Sequence, residues 1–330
     1  EIIRQAITAA HLGEIIPPQD FGMAPIQAVH DPGLLAYLQN IYTLNAAGNS
    51  GNEAPVFPTT FALRAPRHAT RSADGLKGFY CFETYTPVLA GTWTAAYWSA
   101  QCALTGANLI AAGARSAYAL CRPPGHHAAH DLYGGFCFLN NAAIAAHSLE
   151  ARTAILDIDY HHGNGTQHSF YLSSRVLYCS VHQDYHFPYT GSIDEIGNGT
   201  GKGFTVNAPV ETGSTGADVS LVFSEIFLPV LERFRPDCLL VSAGQDILSD
   251  DPLGGMNVLP EDFRIFTSLL LRTGCPLALV LEGGYGPSHG DAISHIFSAL
   301  QKPADLPVPG SAKESTQKLV ALLKKVHRLP

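Results

Sequence analysis

The chain has 330 residues, 46% apolar, 9% aromatic and 15% charged, a balance that builds a large buried core and excludes intrinsic disorder. Its 28 acidic and 20 basic residues give a net charge of −8, and no basic run exceeds Lys324-Lys325, so a nucleic-acid-tracking surface is excluded while a small cationic ligand is compatible. With no long apolar run and no secretory leader pattern, the expectation is a cytoplasmic protein that does not span a membrane.

The first element is a helix within Glu1–Leu12, where Ile2, Ile3, Ala6, Ile7 and Ala10 have helical spacing; because it starts at once, natural residues are expected ahead of it. From Pro17 to Arg71 the chain is broken by Pro, Gly and Asn and reads as short helices and long surface loops. A helix of small residues over Gly91–Ala112 leads to a strand at Ala117–Cys121 and then to the loop Arg122-Pro-Pro-Gly-His-His127. A helix at Asn141–Leu149 precedes strands at Thr153–Ile158 and Arg175–Ser180. Next come a helix at Ala217–Phe234, a strand at Cys238–Ser242, a helix at Pro260–Thr273 and a strand at Pro276–Leu281. The tail Lys302–Pro309 is a spacer before a last helix at Ser311–His327. Continuous apolar strands alternating with helices predict one α/β domain over 1–330, with a mostly parallel sheet covered by helices on both faces. Such sheets bind ligands beyond the carboxyl ends of their strands.

The five expected strands each run into polar residues there: His126-His127, Asp157 to His162, Ser180-Val181-His182, Asp246 and Tyr285. Asp159 and His161 are two apart, so in extended chain both side chains project the same way. An acid and an imidazole with that spacing suit a divalent metal, and Asp246 is the third ligand of a catalytic site that keeps one position open. Two carboxylates in three ligands leave Zn2+, Fe2+ and Co2+ all compatible. The order D-x-D-x-H, with no acid two residues after Asp246, favours one metal over two. The stiff Pro123-Pro124-Gly125 turn aims His126 and His127, which can divide the labour of proton transfer, with Asp157 and Asn164 available to orient them. Glycines before Tyr285 let the backbone approach and turn the phenol inward, where it can donate to an oxygen gaining charge. Phe136, next to Gly135, and Phe187 are expected to line a narrow apolar channel. The seven cysteines are scattered without a C-x-x-C pair and read as reduced thiols, not as a disulfide framework.

The segments Arg122-Pro-Pro-Gly-His-His-Ala128, Gly134-Gly-Phe-Cys-Phe-Leu-Asn-Asn-Ala142, Asp157-Ile-Asp-Tyr-His-His-Gly-Asn-Gly-Thr-Gln167, Ser242-Ala-Gly-Gln-Asp246 and Glu282-Gly-Gly-Tyr285 together resemble the histone deacetylase superfamily, of the arginase/deacetylase fold, over about Val29 to Ala299. The resemblance implies Asp159, His161 and Asp246 as zinc ligands, His127 as general base and acid, His126 as its electrostatic partner and Tyr285 as the carbonyl-polarising group. Asp157 is similar to the acid behind the first histidine, and Asn164 stands behind the second. Structural K+ is implied at Asp157, Asp159, His161, Ser180 and Val181, and a second ion near Phe170, Ser173 and Val176. The family's usual first strand and leading histidine loop have no counterpart in this sequence. Gly78–Trp93 and Phe57–Arg64 resemble the bacterial acetylpolyamine amidohydrolases, which implies a homodimer joined through the preceding loop, Glu83 as a rim acid and Gly135 beside the substrate. The expected activity is therefore hydrolysis of acetylputrescine- or acetylcadaverine-type amides. The alternatives are an acetyl-lysine protein deacetylase on the same scaffold, or a catalytically silent binding protein, against which the intact Tyr285, His127 and metal triad argue.

Overall fold

In the computed structural model, which describes residues 1–48, 54–61, 72–303 and 310–330, the apolar runs pair into six strands where the sequence pattern predicts five. In chain order the elements begin α1 (Ile2–Ala9), α2 (Ala24–Gln27), α3 (Pro32–Gly48), α4 (Ala73–Lys77), α5 (Thr92–Ala111), β1 (Ser116–Ala119), α6 (Asn141–Ser148), β2 (Thr153–Asp157), α7 (Asn164–Phe170) and β3 (Val176–Gln183). They continue with β4 (Thr205–Val210), α8 (Gly216–Val222), α9 (Leu228–Phe234), β5 (Cys238–Ala243), α10 (Asp262–Leu271), β6 (Leu277–Leu281), α11 (His289–Gln301) and α12 (Glu314–His327). The sheet order is β1-β6-β5-β2-β3-β4 and every pairing is parallel.

Alternate strand residues enter two cores, as the period of a β-strand requires. Ala154, Leu156, Leu239 and Val241 pack under α8 to α12, whereas Ile155, Leu240, Ala278 and Val280 pack under α3, α5 and α6. This two-sided burial is why β2, β3 and β5 read as unbroken apolar runs, and all their residues are buried. The strand missing from the sequence reading is β4: Asn207 and Pro209 interrupt its pattern. Pro209 is tolerated because β4 is the sheet edge, where a missing N–H need not face a partner strand. The third strand also runs further than expected, to Gln183, so Val181 and His182 lie within it together with Ser180.

The region Pro17–Arg71 is less loop-like than its composition predicts. A 17-residue helix, α3, extends through Asn45, because Leu34, Leu35, Leu38 and Ile41 are buried against the α5 and α6 core and outweigh the poor helix formers near its end. Most of Asn49–Arg71, including the loop expected to join two subunits, lies outside the described residues. The long helix expected over Ala217–Phe234 forms with a π-helical turn at Phe223–Phe227, where Pro229 has no N–H to give to the preceding turn. Among the described residues, no helix is long and apolar enough to cross a membrane.

The register of the central strands positions the site. Asp157 at the end of β2 is paired with Ser180 on β3 and Ser242 on β5, and Ala243 is paired with Leu281. The segments Asp157–His161, Gly244–Asp246 and Glu282–Tyr285 therefore leave the sheet side by side at its carboxyl edge.

Candidate active site

Ligating atoms of Asp159, His161 and Asp246 lie within 4.8 Å of one another at this edge. His161 Nδ1 is 3.2 Å from Asp159 Oδ1 and 3.0 Å from Asp246 Oδ2. Both carboxylates are held by the backbone: Gly283 N–H donates to Asp159 Oδ2 at 2.9 Å, and Tyr160 N–H to Asp246 Oδ1 at 2.8 Å. Glycine is required at 283, since a Cβ there would stand 2.7 Å from Asp159 Oδ2 and from Asp246 Oδ2. Burial works to raise both acids, and the outcomes diverge. His126 and His161 pull Asp159 below the ordinary carboxylate range, while Asp246, facing Asp159, is pushed up to about 7. His161 is raised to about 9 against its burial because it faces both acids. Two buried carboxylates this close cannot both ionise without a positive charge between them, and two oxygens with one imidazole nitrogen suit Zn2+, Fe2+ or Co2+. The donor set fits a divalent cation.

His126 and His127 stand over this cluster with ring centroids 4.0 Å apart. His126 Nδ1 is 3.1 Å from Asp157 Oδ2, and its Nε2 is 3.6 Å from Asp159 Oδ1. His127 Nδ1 is 2.8 Å from Asn164 Oδ1, at the start of α7. Asn164 Nδ2 also donates to the His127 carbonyl at 3.4 Å, which orients the amide so that His127 Nδ1 carries the proton and Nε2 is the free acceptor. Burial disfavours charge on both rings. For His126 the two aspartates outweigh it and raise the imidazole well above its usual value, whereas His127, with a neutral partner and His126 and His161 beside it, falls well below.

Tyr285 is 38% exposed and packs edge-on against Phe136, with ring centroids 6.1 Å apart. Its phenol is raised by burial and then by Asp159 and Asp246, so it stays protonated and can donate. Phe187 lies on the histidine side, 5.2 Å from His127 and 6.1 Å from His161, and stacks on Phe82 at 5.9 Å. The two phenylalanines thus attend different sides of the site, Phe136 by the phenol and Phe187 by the imidazoles. Gly135 has φ +58°, and a Cβ there would meet His127 Cδ2 at 2.2 Å, so the backbone is laid directly on the catalytic-type ring. A cavity of about 720 Å³ opens against Phe136 and Tyr285.

Glu83 is placed differently from a free rim acid. Its carboxylate accepts from Tyr85 N–H, the Thr86 hydroxyl and, at 3.2 Å, Gly135 N–H, so it closes its own turn and ties it to the Gly135 loop. Of the cation sets implied by resemblance, Asp157 and Ser180 are side by side across β2 and β3, with Ser180 Oγ 2.8 Å from His182 Nδ1. Phe170 and Ser173 are joined by a backbone hydrogen bond of 2.9 Å, just before Val176 opens β3.

Two acids escape a reading of spacing alone. Glu282 is buried at the end of β6; its Oε2 accepts from Gly125 N–H at 2.7 Å and His126 N–H at 3.1 Å, and its Oε1 from Ser242 Oγ at 3.0 Å. Burial raises it to about 7 despite His126 nearby. Asp251 accepts from the backbone N–H groups of Tyr285 and Gly286 and so fixes the tyrosine loop. For Glu282 the signal available was an acid directly after an apolar strand, but the backbone groups it serves are distant in sequence. A second cluster of ligating types, His126, Cys137 and Glu282, also exists where the sequence indicated one metal set. Glu282 is already engaged by three donors and the Cys137 thiol points to the Gly135 carbonyl at 3.4 Å, so this group is scaffold.

The family model for the histone deacetylase domain matches residues 1–300. The chain is 40% identical over 293 residues to Acetylpolyamine amidohydrolase 2 of Pseudomonas aeruginosa, covering 86% of this chain and 84% of that protein. It is 37% identical over 314 residues to the Acetylpolyamine amidohydrolase of Mycoplana ramosa, covering 91% and 90%. The crystal structure of an acetylpolyamine aminohydrolase from Burkholderia pseudomallei superimposes with a TM-score of 0.84 at 40% identity, over 90% of this chain and 88% of that one.

Proposed function

The chain belongs to the histone deacetylase family, a family of metal-dependent hydrolases, and from that membership we propose that it is a cytoplasmic zinc amidohydrolase that removes acetyl groups from acetylated polyamines. The observation that carries the reading is the placement of one charged and one neutral imidazole over the Asp159, His161 and Asp246 donors. Those three residues would hold Zn2+, which when bound supplies a Lewis acid that polarises an amide carbonyl and acidifies water.

The chain's own groups do the rest. His127, with its Nδ1 proton held by Asn164, offers Nε2 as general base and then returns the proton to the departing amine. His126, held charged by Asp159 and Asp157, stabilises negative charge developing next to it. Tyr285 donates its phenol proton in a hydrogen bond to the acetyl oxygen as that oxygen gains charge. Phe136, Phe187 and Gly135 would flank the methylene chain, and Glu83 would add negative potential at the mouth while holding the loop. The reading includes K+ ions held by Asp157, Asp159, His161, Ser180 and Val181, and by Phe170, Ser173 and Val176, together with a homodimer. The polyamine preference rests on the acetylpolyamine amidohydrolase relatives, which match along most of their length.

Two measurements test it. Metal-loaded enzyme should deacetylate acetylcadaverine or acetylputrescine with a higher kcat/KM than an acetyl-lysine peptide, and a clear peptide preference would assign it instead as a protein deacetylase. Tyr285→Phe should lower kcat by on the order of 10²- to 10³-fold, as loss of one oxyanion donor does. An inactive metal-loaded wild type would return the protein to a binding role.

A further inference from the structure

At the amino-terminal end of the sheet, opposite the site above, a cavity of about 510 Å³ lies between the starts of β2, β3 and β4 and the ends of α9 and α12. Its floor is apolar, from Leu177, Phe204, Val230 and Phe234. Its walls carry Arg152, Lys202, Arg233 and Arg328, and among the described residues no carboxylate lines it. In a chain of net charge −8 this is a local reversal of sign. None of the four cations forms an ion pair with a carboxylate among the described residues. The Arg152 guanidinium lies 4.7 Å above the Phe234 ring, and Arg233 donates to the His327 carbonyl at 2.7 Å.

His327, at the end of α12, is 5% exposed and lines the cavity, and its Nε2 has no hydrogen-bond partner. Such buried ring nitrogens are normally satisfied in folded proteins. Three arginines and a lysine around an apolar floor are the donor set of a multivalent oxyanion, since a single carboxylate would be satisfied by one arginine.

We propose that this cavity binds a small phosphate-bearing anion, at a site separate from the hydrolytic centre. The ligand places its phosphate oxygens among Arg152, Lys202, Arg233 and Arg328, beside His327. Where the phosphate is organic, its body covers the Phe204 and Phe234 floor, whose rings stand edge to face at 5.8 Å.

The test is calorimetric titration of the metal-loaded full chain in 0.15 M salt, with pyrophosphate in one arm and ADP in the other. Saturable 1:1 binding is expected, weakened at least tenfold in Arg152→Gln/Lys202→Gln, whose replaced side chains are exposed and outside both cores. The wild type and the double variant share the same metal centre, so chelation there would appear equally in both. Tighter ADP binding assigns the site to an organic phosphate, and equal or tighter pyrophosphate binding to an inorganic one. In the same titration followed by NMR, the His327 imidazole nitrogen resonances should shift with the bound fraction. Absence of 1:1 saturation in both arms, or unchanged affinity in the double variant, overturns the proposal.

Discussion

His126 and His127 are adjacent in sequence, equally buried and 4.0 Å apart, yet one is held charged and the other neutral. The difference lies in what stands beside each ring: the carboxylates of Asp159 and Asp157 beside the first, the neutral amide of Asn164 from α7 beside the second. A shared desolvation cost is thus overcome at one position and left standing at the other. Identical side chains acquire opposite proton affinities, so one ring holds charge while its neighbour keeps a nitrogen free to accept a proton.

The harshest way to break this pairing is to remove the centre both rings face. Asp246→Ala should abolish stoichiometric metal binding, measured by elemental analysis, and lower kcat/KM by on the order of 10⁴-fold. Next, His127→Ala should cost about 10³-fold in kcat and His126→Ala about tenfold less, because proton transfer is assigned to the neutral ring. Equal losses would show that the two rings share the proton task.

The comparison is sharpened by giving both histidines the same kind of partner. Asn164→Asp places a carboxylate behind His127, which raises its proton affinity. The acidic limb of the kcat/KM profile should then move to higher pH by about one unit. An unmoved limb would separate His127 from that limb.

The smallest effect on activity at neutral pH is expected from a third buried histidine with backbone partners alone. His30 Nδ1 lies 3.0 Å from the Ala129 carbonyl and its Nε2 accepts from Asn140 N–H at 2.9 Å, which braces the loop carrying the pair. Burial lowers His30 to about 4, so between roughly pH 6.5 and 4 the unfolded chain takes up a proton that the folded protein refuses. Stability should be undiminished above pH 6.5 and fall by about 3 kcal/mol on acidification towards pH 4. Denaturant unfolding of wild type and His30→Gln across that range checks it: the difference between them should shrink as the pH falls.

Much of this was legible locally. The apolar runs of β2, β5 and β6 and the helices α5 and α6 appear in the sequence because each buries a regular repeat, and Asp159 and His161 stand at ligand spacing for the same reason. The edge strand β4 was hidden because Asn207 and Pro209 break the repeat that a central strand would need. The role of Glu83 in holding Gly135, and the clamps from Glu282 and Asp251, were hidden because their partners are backbone groups dozens to more than a hundred residues away.

The sequence by itself determined the α/β alternation, the strand-end motifs and the identity of the metal-type donors, because those depend on side-chain type and short-range period. The tertiary structure alone decided which histidine is charged, which acids are structural, and that Arg152, Lys202, Arg233 and Arg328 line one cavity. Desolvation and Coulomb interaction depend on distance in space, and at these positions spatial neighbours are set by sheet order and not by chain order.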